Sequence, residues 1–336
     1  MKEFIKVNKV FIKSNNTTNK IFNRYLYCLI PFILLIVIYN LIWGSVSIIF
    51  SLLKAISISL IINTIIQYIF NIINNQKKFS KIFLEDKILT ISIILGLFSL
   101  NSSVLVIVIS SMITTIIKNI NKNISISSSL YGILFIFISK YYFNDLETPL
   151  SNLSKLSYIG TFDRIVLSYG SILEYTIGLT PYYLSPILSI VSFIYLFSKK
   201  SIKYNIVFSY VLTISFIMLF FGIFNNMNIW YLFFELVTGN LLFLTVFCLT
   251  DYPNTPTTGE GQLIYGIVLG LITSILRFII PELSVIISMI LGPLLFTKII
   301  NRISFKLKYN KKFYYTIMSL SIFIVIITTI IINIII

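Results

Sequence analysis

The 336 residues are 57% hydrophobic and 11% charged, with a mean hydropathy of +0.96, more apolar surface than a water-soluble fold can bury, so the composition predicts a polytopic membrane protein. The formal charge of +15 sits in short runs between apolar segments rather than on a soluble basic face, which makes membrane topology its explanation and excludes nucleic acid as a partner. With no His, and with Cys28 and Cys248 both inside apolar segments, the chain offers no ligand set for a zinc, haem or iron–sulfur centre, so any redox group is organic or belongs to a partner.

Residues 1–24 carry six basic groups without the short apolar core and small-residue exit of a cleavable signal, and read as a cytoplasmic tail. A bilayer core of ~30 Å takes roughly 20 apolar residues in a helix. Eleven segments meet or approach that length: Tyr25–Leu41, Val46–Ile73, Ile88–Phe98, Val104–Ile117, Leu130–Phe143, Ile172–Phe197, Tyr204–Phe224, Trp230–Leu249, Leu263–Ile280, Leu283–Thr297 and Tyr314–Ile336. If each crosses once from a cytoplasmic N-terminus, all but five of the 26 basic residues fall on the inside, the five being Lys54, Lys140, Lys155, Arg164 and Arg277. That bias follows the positive-inside rule and predicts a plasma-membrane, multi-pass, bacterial protein with its N-terminus in the cytoplasm.

Two segments differ from the others. Ile88–Phe98 is too short to span, and Trp230–Leu249 is polar at Glu235, Thr238 and Asn240. They hold third place in the first five and in the second five segments, and each ends in a polar break, Leu100–Ser103 and Thr250–Thr258. Short or interrupted helices at matching places point to an inverted repeat with a site near the midplane. The predicted architecture is therefore all-α with ten to eleven membrane helices: a first repeat over 25–143, an external loop over 144–171, a second repeat over 172–302, and a basic loop with an appended helix over 303–336. The loop over 144–171 is long enough to form an ordered segment or lid.

The residues Thr250-Asp251, Pro256-Thr257-Thr258, Gly261, Tyr265-Gly266, Gly270, Arg277 and Pro293 resemble, in order and spacing, the membrane-subunit family that includes RnfD of the Rnf complex and NqrB of the sodium-pumping NADH:quinone oxidoreductase. The family's proline after the Asp is replaced by Tyr252, with Pro253 one place later. Ser14–Pro31, Asp86–Leu97 and Gly170-Ser171-Ile172 with Glu174 and Thr176 are similar to further family segments, so the resemblance runs to Arg302. It implies an electron-transport subunit with partner membrane subunits in an Rnf- or Nqr-like complex. It also implies FMN esterified to a Thr, for which the matching place is Thr148-Pro149-Leu150.

Two departures bear on that implication. Asp145-Leu146-Glu147 stands where the family has Ser-Gly-Ala; Glu147 adds bulk and a charge that repels phosphate. The first-half stretch after Lys118, NINKNISISSSL, lacks the family's glycines and proline, which predicts a changed flavin or ion environment there. Non-covalent riboflavin is the alternative cofactor.

As candidate cofactor-binding residues the sequence offers Thr148, Thr250, Asp251, Thr257 and Thr258; as candidates for an ion or proton path, Glu235 and Asp251. Asp251 is otherwise a solvated loop acid, and the threonines after Pro256 are otherwise ordinary turn chemistry. Glu235 is either a relay or an acid near the aqueous end, with Trp230 and Tyr231 as interfacial anchors. Lys54 either snorkels or pairs with a carboxylate, and Gly266-x-x-x-Gly270 is a packing motif. Three functions compete: a flavin-bearing electron-transport subunit coupled to sodium or proton movement, a flavin-less relative that is a transporter or channel for a small solute such as a flavin-like vitamin, and an assembly or anchoring subunit.

Overall fold

A computed structural model describes residues 18–42, 46–73, 86–120, 126–142, 184–225, 230–251, 255–280 and 283–309. Helices α1 (Thr18–Ile42), α2 (Val46–Ile73), α3 (Asp86–Phe98), α4 (Val104–Ile120) and α5 (Ser129–Tyr142) make up the first half, with a 3-10 turn at Ile126–Ser128 leading into α5. The second half has α6 (Pro186–Ser198), α7 (Tyr204–Phe224), α8 (Trp230–Val237), α9 (Leu241–Leu244, wound on as a π-helix through Leu249) and α10 (Gly259–Ile279). It closes with α11 (Ser284–Leu291), a π turn at Gly292–Phe296 and α12 (Thr297–Tyr309). Among the described residues there is no strand, so the all-helical expectation holds.

Among the described residues, five helical stretches are long and apolar enough to cross a membrane: Lys20–Ile42, Val46–Ile73, Tyr204–Phe224, Gly259–Ile279 and Ser284–Ser304. The pair α8–α9, bent by 50° at its break, makes a sixth if it is one span. The helices α3, α4, α5 and α6 are apolar but shorter, 10–17 residues. The expected eleventh segment, Tyr314–Ile336, and the loop with Thr148 lie outside the described residues.

Several boundaries differ from the sequence reading. Helix α1 begins at Thr18, so the supposed tail is helical over its last residues. The segment expected from Ile172 is not one continuous helix, because Leu184 and Ser185 are non-helical. There the Ser185 hydroxyl accepts from Leu188 N and Pro186 takes the first helical position, where no N–H is needed. The basic loop expected from residue 303 is helical to Tyr309, because α11, the π turn and α12 run on as one rod. Helix α10 starts at Gly259 on the Thr258 hydroxyl, which accepts from Gly261 N at 3.1 Å, with Glu260 in its first turn favoured by the helix dipole.

Side chains from both halves meet in an aromatic column. Phe32 of α1 and Phe98 of α3 pack edge-on against Phe243 of α9, with ring centroids 5.1 and 5.7 Å apart, and Phe243 stacks on Phe247 at 4.6 Å. Each such pair adds ~0.5–1.5 kcal/mol beyond its buried area. Within the halves α2 packs on α3 and α4, and α7 on α10; between them α1 meets α6 and α5 meets α11.

The α7–α10 contact is set by Gly266 and Gly270. A Cβ at Gly266 would collide with Ser209 and lie 2.7 Å from Ile206 O, and one at Gly270 would collide with Thr213. With no lipid-excluded driving force between membrane helices, this close approach is what dispersion and packing require. Gly266→Leu is expected to destabilise the purified chain by about 1–3 kcal/mol through overpacking, read as a lower thermal midpoint in detergent; an unchanged midpoint would refute the tight seam. Lys54 is exposed on α2, and no carboxylate among the described residues pairs with it.

Candidate functional site

The polar run after α9 folds back onto the first half. The Asp251 side chain is buried, and its Oδ2 accepts from both the backbone N of Ser127 (3.0 Å) and the Ser127 hydroxyl (2.9 Å). Ser127 lies in the 3-10 turn that opens α5. The first N–H groups of a helix have no partner within it, and its N-terminus carries partial positive charge. Asp251 therefore acts as an N-cap supplied from the other half of the chain. One residue earlier, Thr250 Oγ1 donates to Val246 O at 2.8 Å and shares a hydrogen bond with the Tyr25 hydroxyl at 3.1 Å, which ties the end of α9 to α1. Cys248 Sγ sits 3.7 Å from Ser129 Oγ, continuing the same seam.

Beyond Asp251 the run is anchored by a lysine. Lys203, just before α7, donates to Thr255 Oγ1 at 2.6 Å and to the carbonyls of Thr255 and Pro256, each at 3.2 Å. Burial lowers the Lys203 ammonium to about 8 from the usual lysine range, and the nearby Asp251 charge opposes that shift. Thr257 is exposed, with its backbone N donating to Asn301 Oδ1 at 3.2 Å, and Thr258 caps α10.

A second polar cluster holds the break between α8 and α9. Gly239 (φ 72°) and Asn240 (φ 55°) take left-handed backbone, which glycine and asparagine tolerate best. The Asn240 side-chain oxygen accepts from Leu184 N at 2.7 Å, and Arg277 of α10 donates to the Thr238 carbonyl at 2.9 Å and hydroxyl at 3.0 Å. Arg277 Nε is 2.6 Å from Glu235 Oε2, and both residues are buried. The guanidinium so neutralises the acid and bonds the carbonyl that the broken helix leaves unpaired. Tyr231 is also buried, its hydroxyl against Met218 Sδ, so it is not the interfacial anchor the sequence offered as one option.

Of the six residues singled out in the sequence, Thr250 and Asp251 stand together at the seam between halves, and Thr257 and Thr258 lie at the start of α10. Glu235 sits apart, toward the other end of the bent pair, and Thr148 falls outside the described residues. The break at Leu100–Ser103 does not meet the described residues of the run Thr250–Thr258. Lys140, near the end of α5, donates to Phe98 O and Leu100 O at 3.3 Å each, whereas Asp251 meets the beginning of α5. The 14 residues of α5 keep the two breaks about 20 Å apart along its axis.

Sequence reasoning missed Ser127, Tyr25, Lys203 and the pairing of Glu235 with Arg277. For the last pair a signal existed: Arg277 was one of five cations the topology left over, and Glu235 an acid inside an apolar segment. Two displaced opposite charges in membrane segments have each other as natural partners. Ser127 carried no such signal within its serine run.

The described donors divide by chemistry. The hydroxyls of Thr250 and Thr258 are engaged within the fold, and the Asp251 carboxylate is a poor neighbour for a phosphate. A flavin phosphate therefore does not fit beside Asp251. Among the described residues no cluster of three or more Cys, Asp or Glu is placed to hold a metal ion. Among curated proteins none matches the chain. The family model described as NQR2, RnfD, RnfE matches residues 6–310, and with nearly the whole chain covered, the protein belongs to that family of membrane subunits.

Proposed function

We propose that this chain is the RnfD-like integral membrane subunit of an ion-translocating electron-transport complex, passing electrons through flavin in step with sodium or proton movement. Membership of the family over residues 6–310 carries this reading. In it the two five-helix halves are inverted repeats. Their shared packing supports this, second helix on fourth in each half and first on first and fifth on fifth between halves. The N-terminus is cytoplasmic, and Asp251 and Lys203 then lie at the cytoplasmic end and Glu235 toward the external end. Glu235 and Asp251 stand on the ion path.

FMN supplies the redox chemistry when bound, and Thr148 is the residue for its phosphoester. The helices contribute position and field. The seam at Asp251–Ser127 fixes the far end of the bent pair α8–α9, and the contacts at Thr238–Asn240 pin the break in its middle. Partner membrane subunits complete the complex.

A second reading has one specific support: Glu147 and the missing glycines after Lys118 erode the flavin attachment signature. On it the chain is a flavin-less relative that carries a small solute, such as riboflavin itself, bound without a covalent link. Flavin fluorescence of the denatured, purified chain in a gel separates the two. A fluorescent band that Thr148→Ala abolishes supports the redox subunit. A dark band from protein expressed with its flavin transferase sinks covalent attachment and turns the assignment to solute transport.

A further inference from the structure

The rod α11–α12 changes character along its outward face. On the inward side, Ile300 and Ser304 are buried, Ser304 lies against Gly261 of α10, and Asn301 Oδ1 accepts from Thr257 N. On the opposite side Leu294, Leu295 and Ile299 are exposed apolar residues, 53%, 54% and 56% accessible, as a lipid-facing stripe should be. Lys298 and Arg302 continue that stripe at four-residue spacing from Leu294, and both are exposed. Neither has a hydrogen-bond or ion-pair partner among the described residues. Lys306 follows at the next four-residue step, and from Lys298 to Lys312 the chain carries six cations and no acid.

The location of these cations decides what they meet. The span Ser284–Ser304 uses about the 20 residues that the hydrocarbon core requires, so Lys298 and Arg302 fall in its last two turns. Long basic side chains at that depth extend to the headgroup layer while their stems stay in contact with lipid tails. A patch meant for a soluble acidic protein would stand on the end of the bundle. This one is the continuation of an apolar face that already meets lipid.

We infer that the outward face of α12 around Lys298 and Arg302 is a binding site for the phosphate headgroups of anionic phospholipids. It serves as an electrostatic collar that fixes how deeply the α11–α12 rod sits. The same helix also holds Thr257 through Asn301, which places the site beside the start of α10. The inference rests on the membrane location of the chain and not on its redox activity.

Native mass spectrometry of the full-length chain, extracted in mild detergent and offered phosphatidylglycerol and phosphatidylcholine in equal amounts, tests this. The wild-type chain should retain phosphatidylglycerol preferentially. A cation near an anionic surface is worth about a fivefold preference, so Lys298→Gln with Arg302→Gln should lower that preference on the order of tenfold or more. Lys54→Gln, which removes an exposed cation from α2, should leave it unchanged. The exchange Lys298→Arg with Arg302→Lys keeps the charge and should keep the preference, which separates headgroup binding from a folding defect. Equal retention of the two lipids by the wild type, or an undiminished preference in the double Gln variant, overturns the inference. So does a double Gln variant that loses only its membrane orientation, since the cations then act as topology signals alone.

Discussion

Arg277→Leu is expected to be the most damaging single substitution among the described residues, lowering stability by about 3–5 kcal/mol. The guanidinium lies 2.6 Å from the Glu235 carboxylate and bonds both oxygens of Thr238, and all three residues are buried. Removing it strands a buried carboxylate and a helix-end carbonyl at once. The pair itself is not the source of most of that figure, because desolvation of two charges offsets much of their attraction. The double variant Glu235→Leu with Arg277→Leu should accordingly recover more than half of the loss. Thermal or denaturant unfolding of the purified chain in detergent reads both numbers. If Arg277→Leu unfolds like the wild type, the pair does not hold the break between α8 and α9. If the double variant is as unstable as the single, packing of the arginine stem outweighs its charge.

The same cluster separates two views of Glu235. As an acid paired with its own arginine, it is not an open cation site; an ion using it has to displace the guanidinium. A relay at Glu235 therefore implies movement of Arg277, and so release of the Thr238 carbonyl that Arg277 caps at the end of α8.

Asp251→Ala should cost about 1–3 kcal/mol, the penalty for leaving a buried donor unsatisfied. It removes the acceptor for both the Ser127 N–H and its hydroxyl, at the only point where a carboxylate of the second half caps a helix of the first among the described residues. Ser127→Ala removes only the hydroxyl and should cost about 1 kcal/mol, while Asp251→Asn keeps an acceptor for the N–H and should fall between. A double-mutant cycle between Ser127→Ala and Asp251→Asn should give a coupling of at least 0.5 kcal/mol. Additive losses would mean that Asp251 acts elsewhere.

Much of the fold was legible because hydrophobic length and charge placement are one-dimensional. The lipid core demands long apolar helices whatever their neighbours, and the short third segment and the polar Glu235–Asn240 stretch were visible as departures from that demand. Helix ends were less legible. The start of α10 at Gly259 turns on the Thr258 hydroxyl accepting from Gly261 N, and the rod runs through Pro293 to Tyr309 as a π turn and a helix, conformational choices that residue type alone leaves open. The site showed the same division. The importance of Asp251 could be read from its position after an apolar segment, but its partner Ser127, 124 residues distant, could not.

By itself the sequence determined that this is an all-helical membrane protein, that most of its basic residues lie between apolar segments, and that the residues from Thr250 to Pro293 resemble the family to which it belongs. Those properties follow from the bilayer as a solvent and from local residue types. The tertiary structure alone decided that Asp251 caps α5, that Arg277 neutralises Glu235 while holding the break in α8–α9, and that the two polar breaks stand apart at opposite ends of α5. Buried charges and unpaired backbone groups must find partners wherever the packed helices bring them, and that placement is a property of three dimensions.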